Sequence, residues 1–143
     1  MNKELHQKYK DVTLPQELVS LFSDIVSSDE TARKVCAYIG KTEQQQRKDE
    51  GVTRGVTIND IVENVMVERR TRVNERGRTY SYDQTKTNIH RKTAERQVDK
   101  LLDMSLLYYQ SVKPLKFLYL TKRGWQVVEE IVKRSANKNE GAK

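Results

Sequence analysis

From Ile89 the chain reads IHRKTAERQVDKLLDMSLL, and this stretch constrains the fold more than any other. At about 100° per residue, Ala94, Val98, Leu101 and Leu102 fall on one side of a helix. Lys92, Thr93, Arg96, Asp99 and Lys100 fall on the other. Such a helix is held to a core by aliphatic groups and offers cations and hydrogen-bonding groups outward. Two runs rich in aromatic and aliphatic residues follow, 106–110 and 117–120, as half-buried strands are. Pro114 lies between them, where a residue without an N–H suits a turn. Thr121 is then expected to cap a last helix with Trp125, Val128, Ile131 and Val132 on its apolar face.

Three helices are expected upstream. Thr13 and Gln16 have capping-box spacing around Pro15, before Leu14, Leu18, Leu21, Phe22 and Ile25 at helical intervals. Ser28 opens a second helix with Ala32, Val35, Cys36 and Ile39 as its stripe. Residues 40–55 read as a helix end followed by a polar loop. Thr57 begins a third helix carrying Ile58, Ile61, Val62, Val65 and Met66. The domain is expected to span residues 13–134, between an N-terminal arm at 1–12 and a flexible tail at 135–143. An insertion at about 68–88 separates the third helix from the basic one, read as a continuation of the helix or a mobile loop, with Gly77 the breaker.

Charge is unevenly placed. Residues 1–66 hold nine Lys and Arg against eleven Asp and Glu, whereas residues 67–123 hold fourteen against six. A basic middle following a near-neutral start points to a polyanion, with nucleic acid foremost; the other reading is a solvated surface. One cysteine, Cys36, forms no internal disulfide and reads as a small core residue, and two histidines make a zinc site improbable. The start of the chain has no hydrophobic leader run, and no apolar stretch approaches the roughly 20 residues of a membrane span. A cytoplasmic protein is expected. No phosphate loop, paired-carboxylate motif, nucleophile elbow or metal-ligand spacing is present, so neither an enzyme nor a cofactor is expected.

The segments TAERQVDKLLDMSLLYYQ and FLYLTKRGWQVVEEI resemble bacterial winged-helix regulators of the MarR and PadR kind. In that family a recognition helix ends in a leucine pair, here Leu101 and Leu102. A hairpin wing follows, and a Leu-Thr-x-x-Gly step, here Leu120 to Gly124, enters the next helix. The resemblance covers about residues 57–132, with Ser105 standing where the family usually has glycine. It implies a mainly α fold with a small β-hairpin, a winged helix-turn-helix with flanking helices.

A helix of this kind fits the major groove, where early residues reach base edges. Lys92, Thr93 and Arg96 are the candidate base contacts, with Arg91 and Lys100 on phosphates. Lys113 and Lys116 of the wing are expected along the backbone or in the minor groove, and His90 caps the helix or meets a phosphate. Arg69, Arg70, Arg72, Arg76 and Arg78 of the insertion are either a further electrostatic layer or an exposed loop. The flanking helices suggest a homodimer presenting two recognition helices to duplex DNA, or else they cover the domain's own core. The expected function is sequence-specific binding of double-stranded DNA by a bacterial or mobile-element transcriptional regulator. The rivals are a plasmid or phage replication or partition protein, and a winged-helix protein-interaction module.

Overall fold

The computed structural model describes residues 3–74, 80–112 and 114–141, with side chains for 5–68, 86–112 and 114–136. It is mainly helical, with two antiparallel strand pairs. The elements run α1 (Lys3–Lys8), α2 (Gln16–Ser27), α3 (Glu30–Glu50), α4 (Ile58–Asn64), β1 (Met66–Asn74), β2 (Tyr80–Asn88), α5 (Arg91–Asp103), β3 (Leu107–Val112), β4 (Leu115–Leu120) and α6 (Lys122–Gly141).

The spine is α3. Asp29, not Ser28, caps it: its carboxylate accepts the Thr31 and Ala32 N–H groups. Val35, Cys36, Ile39, Gly40 and Glu43 form one buried stripe, and Gly40 lets α6 approach closely. Burial of the Cys36 thiol in this stripe pushes its pKa up to about 12, as suits an inert core sulfur. The helix does not end at Gly40, as expected from its polarity, but continues to Glu50. Gln, Lys, Arg and Glu are good helix formers whether or not a face is buried. Gly51, at φ +75°, stops it, and Gln46 then ties down the following loop through Arg54 N–H, Gly55 N–H and Gly55 C=O.

Around α3 the core gathers Val26, Ile61, Ile89, Leu101, Leu106, Leu107, Leu118 and Val127, all almost fully buried. Thr57 caps α4 in a capping box with Asp60, as its position before the apolar run predicts. Thr121 accepts the Gly124 N–H at 3.0 Å and starts α6. Gly124 sits against the Leu106 carbonyl, and a Cβ there would stand 2.1 Å from that oxygen. Backbone, not a flexible side chain, would have to move. Gly124→Ala is therefore expected to cost about 3 kcal/mol or more, read as a lowered urea midpoint with unchanged slope; an unchanged midpoint would contradict this packing.

Four other expectations need correction. Thr13 and Gln16 form no capping box: Pro15 is the N-cap of α2 and no side chain caps it, while Gln126 takes both the N–H and the C=O of Leu14. Residues 1–12 are not simply a loose arm, because α1 forms and the Tyr9 and Val12 carbonyls are bound by Arg123. The described parts of the segment at 68–88 are neither helix nor structureless loop, since β1 and β2 pair over nine positions from Met66↔Asn88 to Asn74↔Tyr80, while the expected breaker Gly77 lies outside the described residues. Its Thr, Val and Tyr residues favour strand, but it lacks the apolar alternation of a half-buried one. The tail is helical too, with α6 running to Gly141.

Candidate nucleic-acid interface

The inner side of α5 is anchored as its pattern predicts. Ala94, Val98, Leu101 and Leu102 are at most 5% exposed. Gln97 is buried among them and donates to Asp29 Oδ2 at 2.9 Å, tying α5 to the start of α3. Burial pushes the Asp29 pKa up, but the Gln97 amide, the Ala32 and Thr31 N–H groups and the Lys100 charge outweigh it, leaving the carboxyl below its ordinary value. The end of α5 is set by Ser105, a non-glycine residue at φ +60°. Its N–H donates to Leu102 C=O and the next N–H, from Leu106, to Leu101 C=O, the double bond pattern of a Schellman ending. Ser105 tolerates this conformation where its Oγ meets Arg123 Nη2 at 2.7 Å and His6 Nδ1 at 3.0 Å.

The outer side divides into two stripes. Lys92 and Arg96 are exposed one turn apart and form no ion pair among the described residues. Thr93 and Lys100 are half-buried, and so less available than their outward positions suggest. The neighbouring stripe is Arg91, Glu95 and Asp99, and it faces the β3–β4 hairpin across a cleft of about 460 Å³. Arg91 is engaged there, its Nε donating to Glu95 Oε1 at 3.2 Å and its Nη1 to Asn59 Oδ1. The cleft thus carries carboxylates beside its cations. His90 occupies the N-cap position of α5 in an extended conformation, but its side chain makes no capping hydrogen bond.

The hairpin rises next to α5. Leu107↔Leu120 and Tyr109↔Leu118 share one face, with Leu107, Leu118 and Leu120 buried, while Tyr108↔Tyr119 share the other. Val56 adds a bridge on the outer edge of β4, exchanging both backbone bonds with Leu118. Lys116 is exposed, its Nζ 5.1 Å from the Tyr109 ring centre. Lys113 lies outside the described residues.

In the inserted hairpin the base is fixed by Asn88 Nδ2, which donates to the Val62 and Glu63 carbonyls, and by Lys34 Nζ on Met66 C=O. Arg70 is opposite Gln84, Arg72 opposite Tyr82, and Arg69 opposite Thr85. Strand alternation puts Arg70 and Arg72 on one face position and Arg69 on the other. The side chains of Arg69, Arg70 and Arg72, and all of Arg76 and Arg78, lie outside the described residues.

Two buried charged groups were not anticipated. Arg123 is 6% exposed and donates to Ser105 C=O, Ser105 Oγ, Tyr9 C=O and Val12 C=O. Glu43 is 1% exposed and accepts the Leu120 N–H at 2.8 Å, on the same edge of β4 that Val56 joins. The Val35, Ile39, Glu43 spacing would have placed Glu43 inside, had the helix been carried past Gly40. Nothing in LTKRG separates the buried Arg123 from the exposed Lys122. Among the described residues no cluster of His, Cys, Asp or Glu is placed to hold a metal, and no helix is long and apolar enough to cross a membrane. No protein-family model, curated protein or solved structure matches this chain significantly.

Proposed function

We propose that this chain is a sequence-specific double-stranded-DNA-binding protein of winged-helix type, a cytoplasmic bacterial or mobile-element transcriptional regulator resembling the MarR and PadR kind. One observation carries the reading. A helix buried on one side presents Lys92 and Arg96 on the other, and the β3–β4 hairpin stands immediately beside it. Arg96 and Lys92 enter the major groove and meet base edges, since guanidinium and ammonium groups pair with guanine there. Lys116 lies against the flanking backbone. Glu95 and Asp99 repel phosphate from the cleft, so the duplex rests on the Lys92–Arg96 stripe and the wing instead of sinking between them. Arg70 and Arg72 add phosphate contacts from one face of the inserted hairpin.

Gel shifts at several salt concentrations, on duplexes from the gene's own upstream region and on random duplexes, test this. Arg96→Ala is expected to weaken specific binding by about 1–3 kcal/mol with folding intact. Lys116→Ala should weaken both kinds of duplex alike and reduce the salt slope by about one. Equal loss on both duplexes for Arg96→Ala would demote it to a phosphate contact, and no binding to either by the parent protein would end the reading.

A homodimer supports the same function, because two-fold symmetry places two recognition helices in successive grooves. Leu18, Leu21 and Ile25 recur at helical spacing on α2 yet remain 39%, 49% and 38% exposed. This is the face a second copy would cover. A solution mass of two chains, reduced to one by Leu21→Glu, is the expected result; a monomer at all concentrations would remove the dimer and leave single-site DNA binding.

A further inference from the structure

On the face of the β3–β4 hairpin away from α5, a second cavity of about 290 Å³ is lined by Glu43, Arg47, Thr53, Tyr108, Gln110 and Tyr119. Its size is at the lower end for small-molecule sites, and its lining is almost wholly polar. The walls are held in place. Arg47 Nε donates to Thr53 Oγ1 at 3.1 Å, and its guanidinium stands 5.3 Å from the Trp125 ring centre. Tyr119 donates to the Arg54 carbonyl at 3.1 Å and stacks on Tyr108 with ring centres 5.2 Å apart. Glu43 is fixed by the Leu120 N–H.

Glu43 and Arg47 are one turn apart on α3, a spacing at which opposite charges ordinarily close on each other. They do not: Arg47 is turned to Thr53 and Trp125, and no ion pair joins it to Glu43 among the described residues. One cavity therefore holds an acid and a base kept apart. We propose that it binds a small zwitterion, an α-amino acid or close analogue, with the ligand ammonium on Glu43 and the ligand carboxylate on Arg47. Thr53, Gln110 and the two phenols supply hydrogen bonds to the rest of the molecule. A lone amine would leave Arg47 unanswered, and a lone carboxylate would face Glu43.

The protonation of Glu43 gives the proposal a signature. Burial raises its pKa to about 7, with the Leu120 N–H and the Arg47 charge pulling against that rise. The other groups around it are Tyr108 and Tyr119, both pushed further above the ordinary phenol value by burial and by Glu43 itself. Lys10 stands over the Tyr108 ring, and Asp11 acts on that phenol. None of these tyrosines changes charge near neutrality, so Glu43 dominates. An ammonium seated on Glu43 favours its carboxylate, so binding expels a proton and is about tenfold weaker one unit below the Glu43 pKa than one unit above. A plain anion would reverse that trend.

Calorimetric titration of the intact protein with each standard amino acid, with n-propylamine and propionate as single-charge probes, tests the assignment. The expected result is saturable millimolar or tighter binding of at least one amino acid, weaker binding of both single-charge probes, and affinity that falls as pH drops through 7. Glu43→Gln keeps an acceptor for Leu120 and should abolish the pH trend while weakening binding about tenfold or more; Arg47→Gln should weaken it similarly. The proposal is overturned if no amino acid binds at millimolar concentration, if either single-charge probe binds as well, or if both variants bind like the parent. Should a variant fail to fold, the parent's pH profile decides, and a flat or inverted profile overturns it. Binding here is independent of the DNA reading. A bound amino acid that leaves gel shifts unchanged would sever the cavity from DNA control without emptying it.

Discussion

Arg123→Met is expected to lower stability by about 3 kcal/mol or more and to free the N-terminal segment from the body of the protein. The guanidinium is nearly buried and fills its fork with four acceptors from two parts of the chain, Ser105 in the α5–β3 turn and the Tyr9 and Val12 carbonyls. Hydrogen bonds to a charged donor contribute more than neutral ones, and methionine removes all four at once. Ser105 C=O keeps Thr121 Oγ1, Tyr9 C=O keeps the Val12 N–H and Ser105 Oγ keeps His6, but the tie between the two parts of the chain is lost. Burial lowers the Arg123 pKa only from a very high starting value, so the group stays cationic under all ordinary conditions. Urea melts give the stability loss, and amide exchange of residues 3–12 should accelerate in the same variant. Lysine should rescue poorly, because a point charge cannot span both ends of the fork. Unchanged exchange in that segment would show that α1 is held by other means.

The second large effect concerns Glu43 and pH. Its pKa in the folded protein, about 7, lies above the ordinary 4.5, so the folded state holds the proton more tightly than the unfolded chain. The resulting stabilisation is fully present below pH 4.5 and is lost as pH rises through about 7. Over that window the shift corresponds to about 3 kcal/mol. Glu43→Gln removes this dependence while preserving an acceptor for Leu120. Relative to the parent, the variant should gain stability steadily from acid to neutral pH and then level off. Urea midpoints across the range measure it, and a constant difference between the two proteins would refute the assignment. Glu43→Ala behaves differently: it strands the Leu120 N–H and should destabilise by about 1–3 kcal/mol even in acid.

Much of the helical frame was legible because burial leaves a period. Ala94, Val98, Leu101 and Leu102 gave the inner side of α5, and Thr57 and Thr121 each stand at the start of their helices as capping residues should. The strand pair after α5 was legible from its tyrosines and leucines. What escaped lacks that period. The β1–β2 hairpin is rich in Thr, Arg and Tyr, so nothing in its hydrophobicity alternates. The second half of α3 is polar on all sides, even where Glu43 is buried, and composition alone reads as loop. In α2 the apolar spacing was legible but not which way it turns: Val19, Ser23 and Val26 are buried and Phe22 packs against the core, whereas Leu18, Leu21 and Ile25 remain exposed. Two adjacent apolar stripes on one helix cannot be ranked from spacing when only one has a partner in the chain. Of the candidate site, the outward Lys92 and Arg96 were legible, but the bond from Arg91 to Asn59 required tertiary placement of α4.

The pairing of Met66 with Asn88 means that the inserted arm leaves and re-enters the molecule at neighbouring points. Its length is therefore free to vary without moving α4 or α5. Two residues added to each strand extend the reach by about 7 Å and keep the two sides of the ribbon as they are, and the junction feels nothing. A single residue added to each strand is another matter, since side chains alternate and it would exchange the two sides of the ribbon beyond it. The arm can thus be lengthened or shortened in two-residue steps while its root between α4 and α5 stays as it is.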